Sequence, residues 1–382
     1  MGCERAEKKS SAYVFRGLPL VADSRTLRNG SFFSKVVYCT WEKSDKSNFG
    51  GEHVISFPLN KDGGWLFFKY PLYLIYLFLF SLLKVRGRDV CVCMDLDTFI
   101  PVWAGSFFKK SKIIFDVVDP ASQARFKNMP FPRLIDRVET FFIKKSFLAI
   151  FPHESRLHYY HDLLAIDISE VRHLVIENMP SFPREKVGSS DAVRSIGSKS
   201  VVIGYFGTLD ATRGLDLVTD FVLANPEKVK LLVAGDGPLK DYIEDCAEHC
   251  ASISYVGRYT GSQLEGLYSQ IDFSWMYYDP SIFLHKYAAP NKFYEHLCFR
   301  IPAITNRIIP QASFILENRT GVIVDQQSQD FIRDGRIDVS FLTCLERFVP
   351  GPALNNYWDL MCVGYYDKVA RRFSESVFGV DS

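Results

Sequence analysis

The sequence predicts an α/β protein built from two Rossmann-like lobes, and three of its features support this fold class. Apolar, β-rich segments alternate with longer helical stretches along almost the whole chain of 382 residues. Several of these segments are continuous runs of Val, Ile, Leu and Phe, which are typical of parallel strands covered on both faces. The pattern breaks at residues 180–199, where Pro, Gly and Ser accumulate and no apolar period continues.

The predicted strands fall into two groups on either side of this break. The first group covers residues 12–15, 35–40, 53–57, 89–94, 112–115, 147–151 and 174–177. The second group covers residues 201–206, 229–234, 253–256, 271–276, 301–305 and 321–324. Each group is large enough for one doubly wound sheet, and two such lobes are expected to leave an interdomain cleft at the carboxyl ends of their strands.

The break also sets the predicted domain boundaries. We expect an N-terminal lobe at residues 1–182, a linker at 183–198 and a C-terminal lobe at 199–352. In residues 353–382, apolar side chains recur at three- and four-residue steps, which predicts a helical segment interrupted near Gly364. We expect this last segment to pack back across the first lobe.

The composition narrows the class of protein. Hydrophobic residues make up 47% of the chain and charged residues 23%, so large cores are possible and disorder is disfavoured. The formal net charge of +1 gives no global electrostatic case for binding nucleic acid. The nine cysteines are odd in number and irregularly spaced, and most lie in apolar runs. We therefore expect free thiols and a cytoplasmic location.

Residues 65–85, WLFFKYPLYLIYLFLFSLLKV, are the strongest candidate for a membrane span. Their uninterrupted part, residues 72–83, would form a helix ~18 Å long, whereas a hydrocarbon core needs ~30 Å. Three interpretations remain open: a buried crossover helix, a helix that dips one face into an anionic membrane, and a true span. The second would bring the protein to the inner face of the plasma membrane through residues 65–88, which end in three basic residues, Lys84, Arg86 and Arg88.

Residues 286–305, KYAAPNKFYEHLCFRIPAIT, carry the most informative pattern. Pro290 fits the first position of a helix, which would leave the next three amides, from Asn291 onward, without partners inside the helix. Free amides at the positive end of a helix dipole favour a diphosphate, and Lys292 adds charge. Glu295 shares a face with Asn291 and can accept hydrogen bonds from ribose hydroxyls. The alternative is that Glu295 is a surface charge paired with Lys292.

Two earlier strand–helix connections point to the same kind of ligand. One strand runs into Gly207, and Arg213 precedes the following helix, where the dipole and the guanidinium favour an anion. An ordinary turn with a solvated Arg213 is the alternative. Another strand runs into Gly235 and Gly237, a tight turn that lets the backbone approach a ligand. A dinucleotide fingerprint would need a third glycine where Lys240 stands, and no phosphate-binding loop ending in Lys-Ser/Thr occurs.

Taken together, these segments resemble the C-terminal lobe of family-4-type retaining glycosyltransferases with the GT-B fold. The similar order is Gly-Thr-Leu…Arg-Gly-Leu, Ala-Gly-Asp-Gly-Pro, Tyr-Val-Gly-Arg, an aromatic strand, and Ala-Pro-Asn-Lys-x-x-Glu. The Pro-Asn-Lys variant is similar to that of bacterial polysaccharide-assembly enzymes. The resemblance covers residues 201–324 well. It covers the N-terminal lobe moderately, through the stretches ADSRTLR, DLDTFIPVWAG and VIENMP.

The resemblance implies a hexosyltransferase-type enzyme that moves a sugar from a nucleotide-diphosphate sugar to an acceptor hydroxyl. It implies retained anomeric configuration, no essential metal and no separate cofactor. The donor is expected to bind Gly207, Thr208, Arg213, Gly235, Pro290, Asn291, Lys292 and Glu295. Of these, Arg213 and Lys292 are assigned as catalytic, because they would stabilise the departing diphosphate.

The sequence departs from the family pattern at two positions. Tyr287 stands where the family has the first of two glutamates, which often faces the donor sugar. Thr208 stands near one of the two positions that are usually basic, while Arg213 matches the other. We hypothesise that Lys292 compensates for the missing basic residue.

The acceptor is expected to bind the N-terminal lobe, near Gly17 and Asp95. Asp95 is assigned as a catalytic residue of the cleft. Asp97 is interpreted as a helix N-cap, not as half of a metal-binding Asp-x-Asp pair. Asp116 and Asp119 end another strand, and one of them is expected to orient an acceptor hydroxyl.

The expected partners are a nucleotide sugar, a glycan or lipid-linked acceptor of cell-surface polysaccharide assembly, and a membrane surface, with no nucleic acid. Two other functions stay open. A sugar-nucleotide epimerase shares this fold, and a non-catalytic scaffold of a membrane glycan-assembly complex would tolerate the loss of the first glutamate. The failed glycine fingerprint disfavours a nicotinamide oxidoreductase.

Overall fold

The computed structural model describes residues 12–18, 24–41, 53–59, 66–124, 126–127, 129–179, 200–326, 329–359 and 364–379. The chain divides into two compact units. The first consists of Met1–Glu177 together with Asp367–Ser382, and the second of Asn178–Tyr366. The predicted linker, residues 183–198, lies outside the described residues.

The first unit is a parallel sheet of seven strands in the order β3-β2-β1-β4-β5-β6-β7. Its strands are β1 Ala12–Arg16, β2 Val36–Thr40, β3 His53–Ser56, β4 Val90–Met94, β5 Lys112–Asp116, β6 Leu148–Phe151 and β7 His173–Val175. Its helices are α1 Ser24–Gly30, α2 Leu66–Lys84, α3 Leu96–Ser106, α4 Pro132–Lys145 and α5 Ser155–Leu164. All five residues of β4 are buried, because helices cover both faces of the sheet at its centre.

Helix α2 is the crossover from β3 to β4, and it buries only one face. Tyr73 and Leu77 are fully buried, whereas Leu72, Ile75 and Leu83 on the other face are exposed. The interpretation of this segment as a buried crossover helix is therefore confirmed for the crossover and wrong for the burial, which holds on one face only. Within the described part of the chain, no helix has the length and apolar character needed to cross a membrane.

The second unit is a parallel sheet of six strands in the order β10-β9-β8-β11-β12-β13. Its strands are β8 Val201–Thr208, β9 Val229–Asp236, β10 Ile253–Tyr255, β11 Phe273–Met276, β12 Ala303–Thr305 and β13 Gly321–Ile323. Its helices are α6 Leu215–Ala224, α7 Lys240–His249, α8 Leu264–Tyr268, α9 Asn291–Cys298, α10 Ala312–Glu317, α11 Ser340–Glu346 and α12 Pro352–Tyr357. Four two-residue strands between Asp325 and Ile337 form two small antiparallel pairs that the sequence did not predict.

The last helix, α13 Tyr365–Phe378, passes from the second unit into the first. Phe373 packs on the first unit through aromatic rings: its centroid lies 4.9 Å from that of Phe32 and 5.4 Å from that of Phe33. The Lys112 ammonium group donates to the Val377 carbonyl near the end of the helix. Val369, Phe373 and Val377 of this helix are buried, so its part within the first unit completes the core of that unit.

In both sheets the strand order reverses beside the first strand. In the first sheet the reversal lies between β1 and β4, and in the second between β8 and β11. Connections leave the sheet in opposite directions at such a point, which opens a crevice outside the carboxyl ends of the strands. Two places for a ligand follow, one in each unit.

Candidate functional site

Two facing glycines lie one residue before the ends of β8 and β9 in the second sheet. Gly207 of β8 lies opposite Gly235 of β9, with φ angles of 150° and 145°. A Cβ atom added to Gly235 would lie 1.8 Å from the Gly207 carbonyl oxygen. Only glycine permits both the backbone conformation and this close approach. The two strand ends thus present bare main chain at the predicted ligand site.

Lys292 lies against the main chain of Gly207. A Cβ atom added to Gly207 would lie 2.5 Å from the Lys292 Nζ, and this Nζ stands 4.4 Å from the centre of the Tyr205 ring. Burial lowers the pKa of Lys292 from 10.5 to about 8, although the Glu295 carboxylate opposes the shift. The structure therefore brings two predicted residues from distant parts of the sequence together.

Helix α9 begins one residue later than the sequence predicted. Pro290 is extended, at φ −71° and ψ 129°, and occupies the N-cap position, so Asn291 is the first helical residue. The Phe293 amide donates to the Pro290 carbonyl at 3.1 Å, which corrects the expectation of three unpaired amides. The amides of Asn291 and Lys292 have no acceptor among the described residues. Two donors remain at the positive end of the helix dipole.

Glu295 is 9% exposed, so it is not a surface charge. The Tyr268 hydroxyl donates to its Oε2 at 3.0 Å. Burial raises the pKa of Glu295, while Lys292 and the Tyr268 hydrogen bond act in the opposite direction. Its carboxylate is therefore fixed in direction one turn inside α9.

Arg213 is held from three sides. Its carbonyl accepts from the Trp275 Nε1 at 2.9 Å, and its guanidinium lies 4.3 Å from the centre of the Tyr278 ring. Its Nη1 is 3.4 Å from the Nε2 of His285. Because a guanidinium only donates, that Nε2 must be the unprotonated nitrogen of the ring. The other ring nitrogen, Nδ1, then donates to the Asp279 carbonyl at 2.8 Å.

Arg213 and Lys292 act on each other electrostatically. The charge of Arg213 is one of the causes that lower the pKa of Lys292, and it also opposes the burial-driven rise in the pKa of Tyr205. Burial likewise lowers the pKa of His285, which keeps its ring neutral beside Arg213. Two cations are thus concentrated near bare main chain, an arrangement suited to an anion.

Thr208 and Tyr287 occupy the two positions that depart from the family pattern. Thr208 is the exposed last residue of β8, and its carbonyl accepts a hydrogen bond from the Tyr205 hydroxyl. Tyr287 ends a 3₁₀ helix, Phe283–Tyr287, and is 5% exposed. Its ring packs 5.5 Å from that of Phe283.

In the first unit, Gly17 and Asp95 directly follow β1 and β4, the two strands at the reversal point. Asp95 is buried and forms an ion pair with Arg16. Its backbone has φ 69° and ψ 164°, a region that is essentially restricted to glycine. The surrounding structure holds this aspartate in a strained conformation at the predicted ligand edge.

Two acidic residues near Asp95 differ from the sequence predictions. Asp116 is fully buried, and its carboxylate accepts from the Arg25 Nη2 at 2.7 Å and from Asn29. It fixes α1 to the sheet, and the pairing of its carboxylate with Arg25 and Asn29 does not support its assignment as a residue that orients an acceptor. Asp97 is not an N-cap, because it lies inside the first turn of α3 and accepts from the Tyr70 hydroxyl at 3.1 Å.

Asp119, three residues after the end of β5, is more accessible than Asp116, the other predicted acceptor-side aspartate of this connection. Its side chain is 48% exposed and pairs with Arg156 at 2.8 Å.

Within the described ranges, no three His, Cys, Asp or Glu side chains group as ligands for a metal ion.

No protein-family model matches this sequence, and a comparison with curated proteins finds no match either. Solved structures do match. HepE of Anabaena, in complex with UDP and glucose, superposes with a TM-score of 0.67 at 12% identity, over 95% of this chain and 99% of that one. The UDP-forming α,α-trehalose-phosphate synthase from Burkholderia vietnamiensis gives 0.60 at 12% identity, over 96% and 100%. Sucrose-phosphate synthase from Thermosynechococcus elongatus gives 0.59 at 11% identity, over 96% and 100%.

The chain has the GT-B fold. Likeness at such low identity establishes the architecture alone, and it confirms the predicted α/β class with two parallel, doubly wound sheets. In this GT-B chain the residues at the carboxyl ends of β8 and β9 and at the start of α9 come from three separate sequence segments.

Three residues around Arg213 and Lys292 escaped the sequence prediction. Tyr205, Tyr278 and His285 each contact one of the two cations. Tyr278 and His285 lie in the aromatic stretch just before Ala-Pro-Asn-Lys, so their proximity to that motif was a usable signal. Tyr205 lies in the middle of an apolar strand, where nothing distinguishes it from a core residue.

Proposed function

We propose that this chain is a glycosyltransferase that moves a sugar from a nucleoside diphosphate sugar to an acceptor hydroxyl. The observation that carries the proposal is the pair of cations, Arg213 and Lys292, beside the bare main chain of Gly207. One of the structural neighbours supports it by its ligands, since HepE has been solved with UDP and glucose and also with UDP-glucose. The Burkholderia vietnamiensis neighbour is a UDP-forming synthase.

In the proposed donor complex, the diphosphate lies at the start of α9. The amides of Asn291 and Lys292 donate to its oxygens, and the Lys292 ammonium and the Arg213 guanidinium balance its charge. Gly207, Thr208 and Gly235 allow close approach of the strand ends. Glu295, oriented by Tyr268, accepts hydrogen bonds from the ribose.

The proposed reaction breaks the bond between the anomeric carbon and the terminal phosphate oxygen. A new bond forms between that carbon and the acceptor oxygen, and the acceptor proton passes to the departing phosphate oxygen. Arg213 and Lys292 stabilise the charge that develops on the diphosphate. On the strength of the Ala-Pro-Asn-Lys-x-x-Glu motif we propose a family-4-like reaction that retains the anomeric configuration and needs no metal.

We place the acceptor in the first unit, at the ends of β1 and β4. Asp95 is proposed to orient an acceptor hydroxyl together with Gly17, and its unfavourable backbone conformation supports a role beyond packing. We further propose a lipid-linked glycan of cell-surface polysaccharide assembly as the acceptor. The exposed apolar face of α2, followed by Lys84, Arg86 and Arg88, supports a peripheral position at the inner face of the plasma membrane through residues 65–88.

The test begins with a thermal-shift screen of the purified chain against UDP, ADP, GDP and dTDP. The nucleotide sugars of the nucleotide that binds are then incubated with and without glycan acceptors, and release of nucleoside diphosphate is followed. The proposal expects binding and acceptor-dependent release, both reduced at least about tenfold by Arg213→Gln. Lys230→Gln, which removes an exposed cation from β9, is the matched control and should change neither.

Two outcomes would reject the transferase and favour one of the two alternatives, the epimerase or the scaffold. Conversion of the bound nucleotide sugar to its epimer without any acceptor would identify an epimerase. Failure of all nucleotides and nucleotide sugars to bind the folded chain would leave a non-catalytic scaffold.

A further inference from the structure

Helix α4 is amphipathic in the reverse of the usual sense. The residues that it buries include two acids, Asp136 and Glu139, and the side chains that it exposes include Leu134, Val138 and Phe141. Their exposed fractions are 58%, 37% and 51%. A soluble helix ordinarily places such an apolar stripe against the core.

The buried acid Glu139 of α4 is accommodated by specific partners, so the helix is not simply misplaced. Glu139 accepts from the Tyr160 hydroxyl at 2.7 Å and from the Ala121 amide at 3.1 Å. Burial raises the pKa of Glu139 to about 8, which keeps it largely uncharged at neutral pH. Because the inner side of α4 is fixed by this network, the apolar stripe is held outward.

A second apolar element lies beside α4. The 3₁₀ turn Phe107–Lys109 after α3 exposes Phe107 by 55% and Phe108 by 92%. The Trp103 ring lies 4.9 Å from that of Phe107 and 5.4 Å from that of Phe142 in α4. The turn and α4 therefore share one surface.

The same turn is tied to α2 on its other side. The Lys109 Nζ donates to the Ser81 carbonyl at 3.0 Å and to the Val85 carbonyl at 2.8 Å. Gly105 lets α3 pack directly on α2, since a Cβ atom there would lie 2.4 Å from the Phe78 carbonyl oxygen. The exposed apolar face of α2 is thus continuous with the turn, and through it with α4.

The charges around this surface have one sign. Exposed cations border all three elements: Lys84, Arg86, Arg88, Lys110, Arg133, Arg137, Lys144 and Lys145. In residues 66–88, 107–110 and 131–145 the only acids are Asp136 and Glu139, and both are buried. A large apolar patch inside a ring of cations, without an exposed carboxylate, complements an anionic lipid surface.

We propose that α2, the Phe107–Phe108 turn and α4 form a single face that binds an anionic phospholipid bilayer. Phe108, Leu83, Leu134 and Phe141 enter the boundary between headgroups and acyl chains, and the surrounding cations contact lipid phosphates. This extends the membrane contact proposed for α2 to two further elements. It does not depend on glycosyl transfer, because the face is defined by exposure and charge alone.

The test is flotation of the full chain with vesicles of phosphatidylcholine alone and of equimolar phosphatidylcholine and phosphatidylglycerol. The proposal expects binding to the anionic vesicles that weakens with added salt and is much weaker on the neutral ones. Phe108→Glu and Phe141→Glu should each reduce the partition coefficient at least about tenfold, since each replaces an apolar ring at the bilayer boundary by a charged side chain. Val349→Glu, at a residue of the second unit that is 62% exposed, is the matched control and should bind as the parent does.

Each of the other outcomes decides for or against the proposal. It is overturned if the parent binds neither vesicle, or if Phe108→Glu, Phe141→Glu and Val349→Glu bind alike. Self-association that Phe108→Glu abolishes, without vesicle binding, would assign the face to a second copy of the chain. Vesicle binding by a chain that binds no nucleotide would retain this proposal and reject the glycosyltransferase.

Discussion

Replacing Lys292 by Met should make the empty protein more stable and weaken its binding of a nucleoside diphosphate. Burial lowers the pKa of Lys292 from 10.5 to about 8, so the folded protein holds the charge less readily than the unfolded chain does. Since each tenfold change in a proton equilibrium is worth about 1.4 kcal/mol, keeping Lys292 charged below pH 8 costs the empty fold about 3 kcal/mol. Met retains the apolar stem without this cost, and it gives up the contact of the Nζ with the Tyr205 ring.

The pH dependence of the effect has a defined sign. Between pH 8 and pH 10.5 the unfolded chain binds more protons at this residue than the folded protein does, so the stability of the parent rises with pH. The advantage of Lys292→Met should therefore be largest below pH 8 and disappear near pH 10.5. Urea unfolding of both proteins at a series of pH values measures this difference in the free energy of unfolding.

Nucleotide binding should narrow this difference in stability. An anion beside Nζ offsets the loss of hydration, and a charge-assisted contact contributes about 1.5–3 kcal/mol. We therefore expect Lys292→Met to weaken UDP binding by about tenfold to a hundredfold in calorimetry. Lys230→Met on exposed β9 serves as the control. A Lys292→Met protein that is less stable than the parent at pH 7, or that binds UDP equally well, would refute the reasoning.

Three further predictions concern residues around the sites. His285→Ala should raise the donor KM by about two- to tenfold with a smaller effect on kcat, because Arg213 loses one orienting acceptor. His285→Gln, which retains an acceptor, should recover most of the loss in steady-state kinetics. Gly235→Ala should lower the free energy of unfolding in urea by about 2–4 kcal/mol, because its Cβ would collide with the Gly207 carbonyl and its φ is positive. An unchanged midpoint of urea unfolding would contradict the site geometry. The pKa of Glu139 is raised from 4.5 to about 8, so the parent should lose stability as pH rises across that interval. The Glu139→Gln protein should lack this loss of stability. Parallel profiles of unfolding free energy against pH would show that Glu139 is not protonated.

The sequence was sufficient to locate the strands of both sheets because each strand buried on both faces is a continuous apolar run. The start of α9 was predicted one residue early, since Pro290 suits both the first helical position and the N-cap. The conjunction of Gly207, Arg213 and Lys292 followed from motif order alone. Their distances could not follow from it, because they depend on how three strand–helix connections meet.

The parts that the sequence could not predict are those where tertiary packing reverses a local rule. The apolar stripe of α4 would be assigned to the core by its period, and only the contacts of Glu139 with Tyr160 and Ala121 show that its polar side points inward. Asp116 likewise looked like a ligand residue, because strand-end aspartates often are. Its carboxylate is instead paired with Arg25, which is 91 residues away along the chain.

The return of the chain at α13 has a consequence for the order in which the protein acquires its structure. The second unit is one uninterrupted segment, Asn178–Tyr366, whereas the first unit needs Asp367–Ser382 to complete its core. During synthesis the first sheet therefore lacks α13, and Phe32 and Phe33 remain uncovered until the whole second unit has left the ribosome. A nascent chain stalled before α13 should expose this aromatic surface to chaperones, even though every strand of both sheets has already been translated.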